Sequence, residues 1–315
     1  MRICILDDVE RVALACADWA SLTGVTELVA VDRRLSPDEL VAVLARFDVV
    51  VLQRERTAFP RALVEQLPNL RLVVTTGPRN AALDVAACTE RGIVVCATRG
   101  GGTPVVELAW ALLLAAWRDL PDRATSMRAG QWMSVAGRSL EGARLGLLGL
   151  GRTGSRMAAI GRAFGMDVVA WSENLTEEVA AERGARLVGR RELFEVSDAV
   201  SVHLLLSRRT RGLVGEAELR AMRRDAWLVN TSRGPIVDEA ALLQACREQW
   251  IGGAALDVFD VEPLPADHEL RRLPNVLLTP HVGYVTVENL REWFADVVED
   301  IAAYRAGSPI RVLTA

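Results

Sequence analysis

The 315-residue chain reads as an α/β protein with two doubly wound, parallel sheets. Three observations predict this. Short apolar runs alternate with helical patterns along the whole chain. The runs are continuously apolar rather than alternating, as in strands buried on both faces. They also fall into two series, and the length allows two domains with sizeable cores.

The first series is RICIL (2–6), ELVAV (27–31), DVVVLQ (48–53), LRLVVTT (70–76) and GIVVCAT (92–98). Between two of these lies SPDELVAVLARF (36–47), with Ser36 as N-cap, Pro37 at the first helical position and Glu39 closing a capping box. Next comes PVVELAWALLLAAWRDL (104–120), the most apolar segment. Only nine residues separate Glu107 from Trp117, too few to span a bilayer, so a buried helix is predicted. The second series is RLGLLGLG, MDVVAW, DAVSVHLL, AWLVNTS, GGAALDVF and NVLLTP. A domain break is expected near TRGGGTP (98–104). The C-terminal VENLREWFADVVEDIAAYRAG (287–307) predicts a long amphipathic helix without strands of its own. Returning to the first domain, it would make that domain discontinuous.

Composition removes several function classes. A net charge of −4 and a pI near 5.6 give no general attraction to nucleic acid or to an anionic membrane. All 37 basic residues are arginine, so no lysine exists for a Schiff base, a pyridoxal anchor or a phosphate loop. The five cysteines (Cys4, Cys16, Cys88, Cys96, Cys246) are scattered through apolar runs, with no spacing that suggests a metal site. Buried thiols in a reducing compartment fit best. With an N-terminus that reads as a strand, a cytoplasmic location is expected.

RLGLLGLGRTGSRMAAIGRAFGMDVVAW (144–171) carries Gly149-x-Gly151-x-x-Gly154 between a strand and a helix. Alone the motif is a weak signal, but its context fits dinucleotide binding. Gly149 permits the tight turn, Gly151 lets backbone approach a pyrophosphate, and Gly154 allows close helix–strand packing. The residue ending the second strand is Ser172, followed by Glu173 and Asn174. An acid there binds the ribose of NAD, whereas a small polar residue with a nearby arginine admits the phosphate of NADP. Glu173 should repel that phosphate and no arginine follows directly, although Arg152 in the loop could reach it. The balance favours NAD and leaves NADP open.

Three more strand ends carry reactive side chains: Arg233 in LVNTSRGPIVDEAAL (228–242), Asp257 and Glu262 in ALDVFDVEPLP (255–265), and His281 in LLTPHVG (277–283). Ligands of open α/β sheets bind outside the carboxyl ends of strands, so these loops could converge beside the glycine loop. Together they suit hydride transfer to a 2-oxo acid. Arginine offers a planar, permanently charged fork for a carboxylate. Histidine supplies the proton, and a carboxylate beside it orients the ring. Each residue alone has a structural reading: Arg233 pinning a helix start, Glu262 solvated, Asp257 forming a turn, His281 ending a strand.

The set resembles the D-isomer-specific 2-hydroxyacid dehydrogenases, carried by GLGRTG, VNTSRGPIVDEAAL, ALDVFDVEPLP and TPHVGYVT, with TTGPRNAALDVAACTERGIVVCAT and ELAWALLLAAWR also matching. The resemblance implies a Rossmann cofactor domain (100–283) inserted into a flavodoxin-like substrate domain (1–99 plus 284–315). It implies Arg233 on the substrate's carboxylate and carbonyl, Glu262 supporting the histidine, and His281 as general acid/base. Asp257 would sit at the nicotinamide carboxamide. Gly149, Gly151, Arg152, Thr153, Gly154, Ser172, Glu173, His203 and Thr231 would surround the cofactor. Amides of Thr76 and Gly77 would hold the carboxylate, since Pro78 has no N–H. A homodimer around the 104–120 helix is implied as well. Ser172 and Arg79 depart from the acids common at these positions.

Substrate choice is expected to rest on LQRERTAFP (52–60). Arg54 and Arg56 either form a solvated loop or face the pocket, where Arg56 would bind a second anionic group. His268, in PADHELRR, is expected on the surface. The rival to an enzyme is a dinucleotide-sensing interaction protein that has lost turnover, like relatives that act as corepressors. The intact triad argues against it.

Overall fold

The computed structural model describes residues 1–100, 102–132 and 136–314; Gly101, inside the expected 98–104 break, lies outside them. The chain forms two compact units, Met1–Gly101 with Val285–Ala315, and Gly102–Tyr284.

In the first unit, β1 (Arg2–Ile5), β2 (Glu27–Ala30), β3 (Val49–Leu52), β4 (Leu72–Thr75) and β5 (Val94–Ala97) form a parallel sheet in the order β2-β1-β3-β4-β5. The β-branched VVVL and LVVT of β3 and β4 are wholly buried, which is why they carry no polar alternation. Helix α1 (Pro37–Leu44) starts with the expected capping box. Ser36 Oγ accepts the Glu39 N–H at 3.3 Å, and the Glu39 carboxylate accepts the Ser36 N–H at 2.8 Å. Such a cap contributes about 1 kcal/mol. Short helices α2 (Arg61–Val64) and α3 (Val85–Glu90) follow β3 and β4. The C-terminal helix (Val287–Arg305), capped by Thr286, lies against β4 and buries Leu290, Trp293, Phe294, Val297 and Ile301. The order reverses between β1 and β3, and the loop after β3 begins at Gln53.

The second unit holds, among the described residues, a seven-stranded sheet. Its strands are β6 (Arg144–Leu148), β7 (Asp167–Trp171), β8 (Arg186–Leu187), β9 (Ala199–Val202), β10 (Trp227–Asn230), β11 (Gly253–Leu256) and β12 (Val276–Leu278). All pair in parallel, in the order β12-β11-β10-β9-β6-β7-β8. The direction reverses between β6 and β9, so the glycine loop after β6 stands at the switch point. Strand β8 has only two residues and sits at the edge, too short to leave an apolar run in the sequence.

Helix α4 (Thr103–Trp117) is the apolar segment singled out above. It packs on β10 and β11 and buries Val106, Ala109, Trp110, Leu113 and Trp117. It ends earlier than expected: Asp119 takes a left-handed backbone, φ 53°, and a separate α5 (Leu120–Arg128) begins. The remaining helices are α6 (Arg152–Ala163), α7 (Glu177–Glu182), α8 (Arg190–Val196), α9 (Glu216–Ala221) and α10 (Glu239–Arg247). Among the described residues no helix is long and apolar enough to cross a membrane.

Candidate active site

Within the second unit, the loops after β10, β11 and β12 bring Arg233, Glu262 and His281 together. The contact between the first two loops depends on Gly234. A Cβ there would lie 2.1 Å from the Phe259 carbonyl carbon, so only glycine lets the Arg233 loop press against the segment leading to Glu262. Glu262 Oε1 accepts the Phe259 N–H at 2.9 Å, which leaves Oε2 to meet His281 Nδ1 at 2.6 Å. Burial alone would raise the Glu262 carboxyl. The bond and charge of His281, the Phe259 N–H and the Arg233 charge outweigh it and hold the group below the usual carboxylate range.

His281 takes φ 55°, a left-handed backbone that few side chains adopt. Asp257 holds that turn. Its Oδ1 accepts from Thr279 Oγ1 at 2.6 Å and Val282 N–H at 2.9 Å, and its Oδ2 from Gly283 N–H at 2.9 Å. Tyr284 meets the His281 ring edge-on, centroids 6.0 Å apart. Sequence reading missed both Gly234 and Tyr284. Neither carries reactive chemistry, and only the close approach shows what they do.

The three glycines of the loop have different reasons. Gly149 has φ 103°, and a Cβ would fall 2.7 Å from the His203 carbonyl oxygen. At Gly154 a Cβ would come within 2.1 Å of the Gly149 carbonyl oxygen. At Gly151 it would meet no protein atom within 4 Å, so the fold itself does not demand glycine there. A pyrophosphate held close to this backbone would demand it. No side chain caps α6, which leaves the first-turn N–H groups of Arg152, Thr153 and Gly154 for an anion. Thr231, just after β10, buries a hydroxyl that has no hydrogen-bond partner among the described residues. These residues fit a dinucleotide. His203 contributes its backbone to this loop, while its Nε2 pairs with Ser201 Oγ at 2.8 Å and burial pushes its pKa down to about 4. Ser172 is half-buried and Glu173 exposed.

The first unit corrects two expectations. The Thr76 N–H donates to Leu52 O at 2.9 Å and the Gly77 N–H to Thr98 Oγ1 at 2.7 Å, so neither amide remains for a carboxylate. The N–H groups of Arg79 and Asn80, past Pro78, donate to no acceptor among the described residues. Arg56 is engaged by its own unit: Nη1 donates to Asp7 O at 2.7 Å and to Glu10 at 2.8 Å. Arg54 is the arginine beside the Thr76–Gly77 loop. Its N–H donates to Thr76 Oγ1 at 3.0 Å, and its guanidinium fills the space a Gly77 side chain would take. With side chains only 18% and 20% exposed, Arg54 and Arg56 are not solvated loop residues. His268 is likewise no simple surface residue. It is half-buried, caps the short helix Glu269–Arg272 and pairs with Glu239 at 3.1 Å.

A switch-point glycine loop and an arginine–glutamate–histidine cluster on one sheet define a dinucleotide-dependent oxidoreductase. Residues 110–283 match the model of the D-isomer specific 2-hydroxyacid dehydrogenase NAD binding domain. A glyoxylate reductase of Aeropyrum pernix is 41% identical over 255 residues, covering 78% of this chain and 76% of that protein. A D-3-phosphoglycerate dehydrogenase of Archaeoglobus fulgidus is 32% identical over 314 residues, 99% of this chain but 58% of that one. The crystal structure of a phosphoglycerate oxidoreductase from Vibrio cholerae O395 superposes with a TM-score of 0.93 at 34% identity, covering 98% of this chain and all of that one. The chain belongs to the D-isomer-specific 2-hydroxyacid dehydrogenase family. Its chemistry is the NAD(P)H-dependent reduction of a 2-oxo acid to a 2-hydroxy acid, or the reverse.

Proposed function

We propose that the chain reduces a small 2-oxo acid of the glyoxylate or hydroxypyruvate type, with His281 as the proton donor. The observation that carries this is the 2.6 Å contact between His281 Nδ1 and Glu262 Oε2, with Arg233 beside that carboxylate. The glyoxylate reductases among its relatives support the substrate class.

Arg233 binds the substrate's carboxylate and keto oxygen, its fork matching both. His281 gives a proton from Nε2 to the carbonyl oxygen as it becomes an alkoxide. Glu262 fixes the ring through Nδ1 and stabilises the imidazolium before transfer, as a carboxylate does in other histidine-based sites. Gly149, Gly151 and Gly154 with the first turn of α6 would hold the pyrophosphate, and Thr231 would lie along the dinucleotide. The bound nicotinamide supplies the hydride. Asp257 holds the turn that presents His281 and keeps a lone pair for the carboxamide.

A homodimer is proposed near the 104–120 region. Helix α4 spends most apolar side chains inside its own unit, but Leu120, Met127 and Trp132 just beyond it are 50–80% exposed. A cytoplasmic setting is proposed from the five unpaired thiols, four of them buried. The test is oxidation of NADH and NADPH with glyoxylate, hydroxypyruvate, pyruvate and bulkier 2-oxo acids. Binding of dinucleotide without turnover of any of them would overturn the reading in favour of a sensor.

A further inference from the structure

Cofactor choice in a doubly wound unit is set where the second strand ends, and here that residue is Ser172 rather than an acid. Sequence alone weighed Glu173 against Arg152. The structure turns Arg152 toward the start of α4, where a Cβ on Gly102 would lie 3.3 Å from its Nε. A different arginine stands beside the loop. Arg183, which ends α7, donates through Nη1 to the carbonyl of Leu150, between Gly149 and Gly151.

Two contacts locate that guanidinium. Leu150 O also accepts from Ser155 Oγ at 3.2 Å, which places it over the first turn of α6. The Gly149 N–H donates to Trp171 O at 2.8 Å, so the glycine loop runs alongside the last residue of β7, and Ser172 follows directly. Arg183 therefore reaches the loop from the helix that succeeds Ser172, on the side where the adenosine ribose of a dinucleotide lies. Among the described residues its Nε and Nη2 donate to no acceptor. Glu173 is exposed, where solvent and salt screen its repulsion.

We infer that Arg183 recognises an anion on the ribose 2′ oxygen, and that the chain therefore takes NADPH in preference to NADH. A guanidinium pairs with a phosphate through two parallel N–H bonds, and the Ser172 hydroxyl adds a neutral donor where an aspartate would repel. The inference rests on the dinucleotide-binding reading, not on His281 or on any substrate.

The experiment is equilibrium binding of NADPH and NADH, followed by nucleotide fluorescence without substrate. Variants are Arg183→Ala, Arg183→Gln, which retains a donor for Leu150 O, and Ser172→Asp. The native chain should bind NADPH at least about tenfold tighter than NADH. Both Arg183 variants should weaken NADPH about 10- to 100-fold, the worth of a lost charge-assisted pair, and NADH less than about twofold. Ser172→Asp should reverse the preference. Equal affinities in the native chain would overturn the inference. So would equal losses for both nucleotides in Arg183→Gln, which would make Arg183 a prop for the loop. Should Arg183→Ala fail to fold, the Gln variant decides. Because no substrate is present, failure here leaves the reaction reading standing, and loss of that reading leaves these affinities in place.

Discussion

Strands β9 and β12 of the second sheet each lead into a histidine, and the two rings meet different partners. His203 follows β9 directly, has among the described residues only the Ser201 hydroxyl for a side-chain partner, and is held neutral by desolvation, with its pKa pushed to about 4. His281 lies just past β12 against a carboxylate that Arg233 also touches electrostatically. Residue type and place at a strand end are shared. The partner is not. Desolvation holds the half-buried His203 imidazole in its neutral form, whereas Glu262 orients the His281 ring through Nδ1.

The sharpest way to break this contrast is to remove each ring in turn. His281→Asn should lower kcat by about 100- to 10,000-fold, the usual worth of a general acid, while dinucleotide affinity stays within about twofold. His203→Asn should cost turnover less than about tenfold. Comparable losses in the two variants would mean that the carboxylate partner does not decide the role. Glu262→Gln tests the partner itself. It keeps shape and a hydrogen bond but removes the charge that steadies the imidazolium, so kcat should fall by about ten- to a thousandfold. Activity close to native would leave Glu262 as a packing residue.

The two histidines should also part in stability. The unfolded His203 imidazole takes up its proton near pH 6.5 and the folded one only near 4. The unfolded state therefore binds more protons across that window. Stability is complete above pH 6.5 and declines as pH falls, by about 2 kcal/mol between pH 6.5 and 5. Urea midpoints at pH 7 and pH 5 measure this. The native chain should lose stability over that interval, and His203→Asn should lose about 2 kcal/mol less. An equal loss in both would show that His203 is not shielded from solvent protons.

What the sequence made legible follows from the same contrast. Strands buried on both faces, the Ser36–Glu39 cap and the glycine loop each announce themselves by local pattern, and all are found where that pattern lies. Strand β8 and the break between α4 and α5 were not legible, the first being two residues long and the second depending on the backbone of Asp119 alone. Reactive residue types and strand-end positions could be read, and the resemblance put Glu262 beside His281, where a 2.6 Å contact is found. Other pairings across the fold could not be read. Nothing local says that the Gly77 N–H is taken by Thr98, that Arg56 belongs to Glu10, or that Arg183 reaches back to Leu150.

Arginine gives the comparison its second form, in the first unit. Arg54 and Arg56 are two residues apart on the loop after β3, yet Arg56 joins that loop to Asp7 and Glu10 after β1, while Arg54 pairs with its neighbour Glu55 at 3.5 Å, lies over Trp293 and stands beside Thr76 and Gly77. If partner rather than residue type sets the role, a second anionic group on the substrate should be sensed by Arg54 alone. Arg54→Ala should raise KM for a 2-oxo dicarboxylate about tenfold or more beyond its effect on glyoxylate, as loss of a charge-assisted contact predicts. Arg56→Ala should leave that ratio near one and appear instead as a fall in Tm of about 2–4 °C, the result of losing roughly 1 kcal/mol from a half-buried ion pair. Steady-state kinetics with the two substrates and a thermal melt of each variant separate the cases. A ratio that moves with Arg56 and not with Arg54 would restore Arg56 as the substrate residue, and would mean that its pairing with Glu10 opens when substrate arrives.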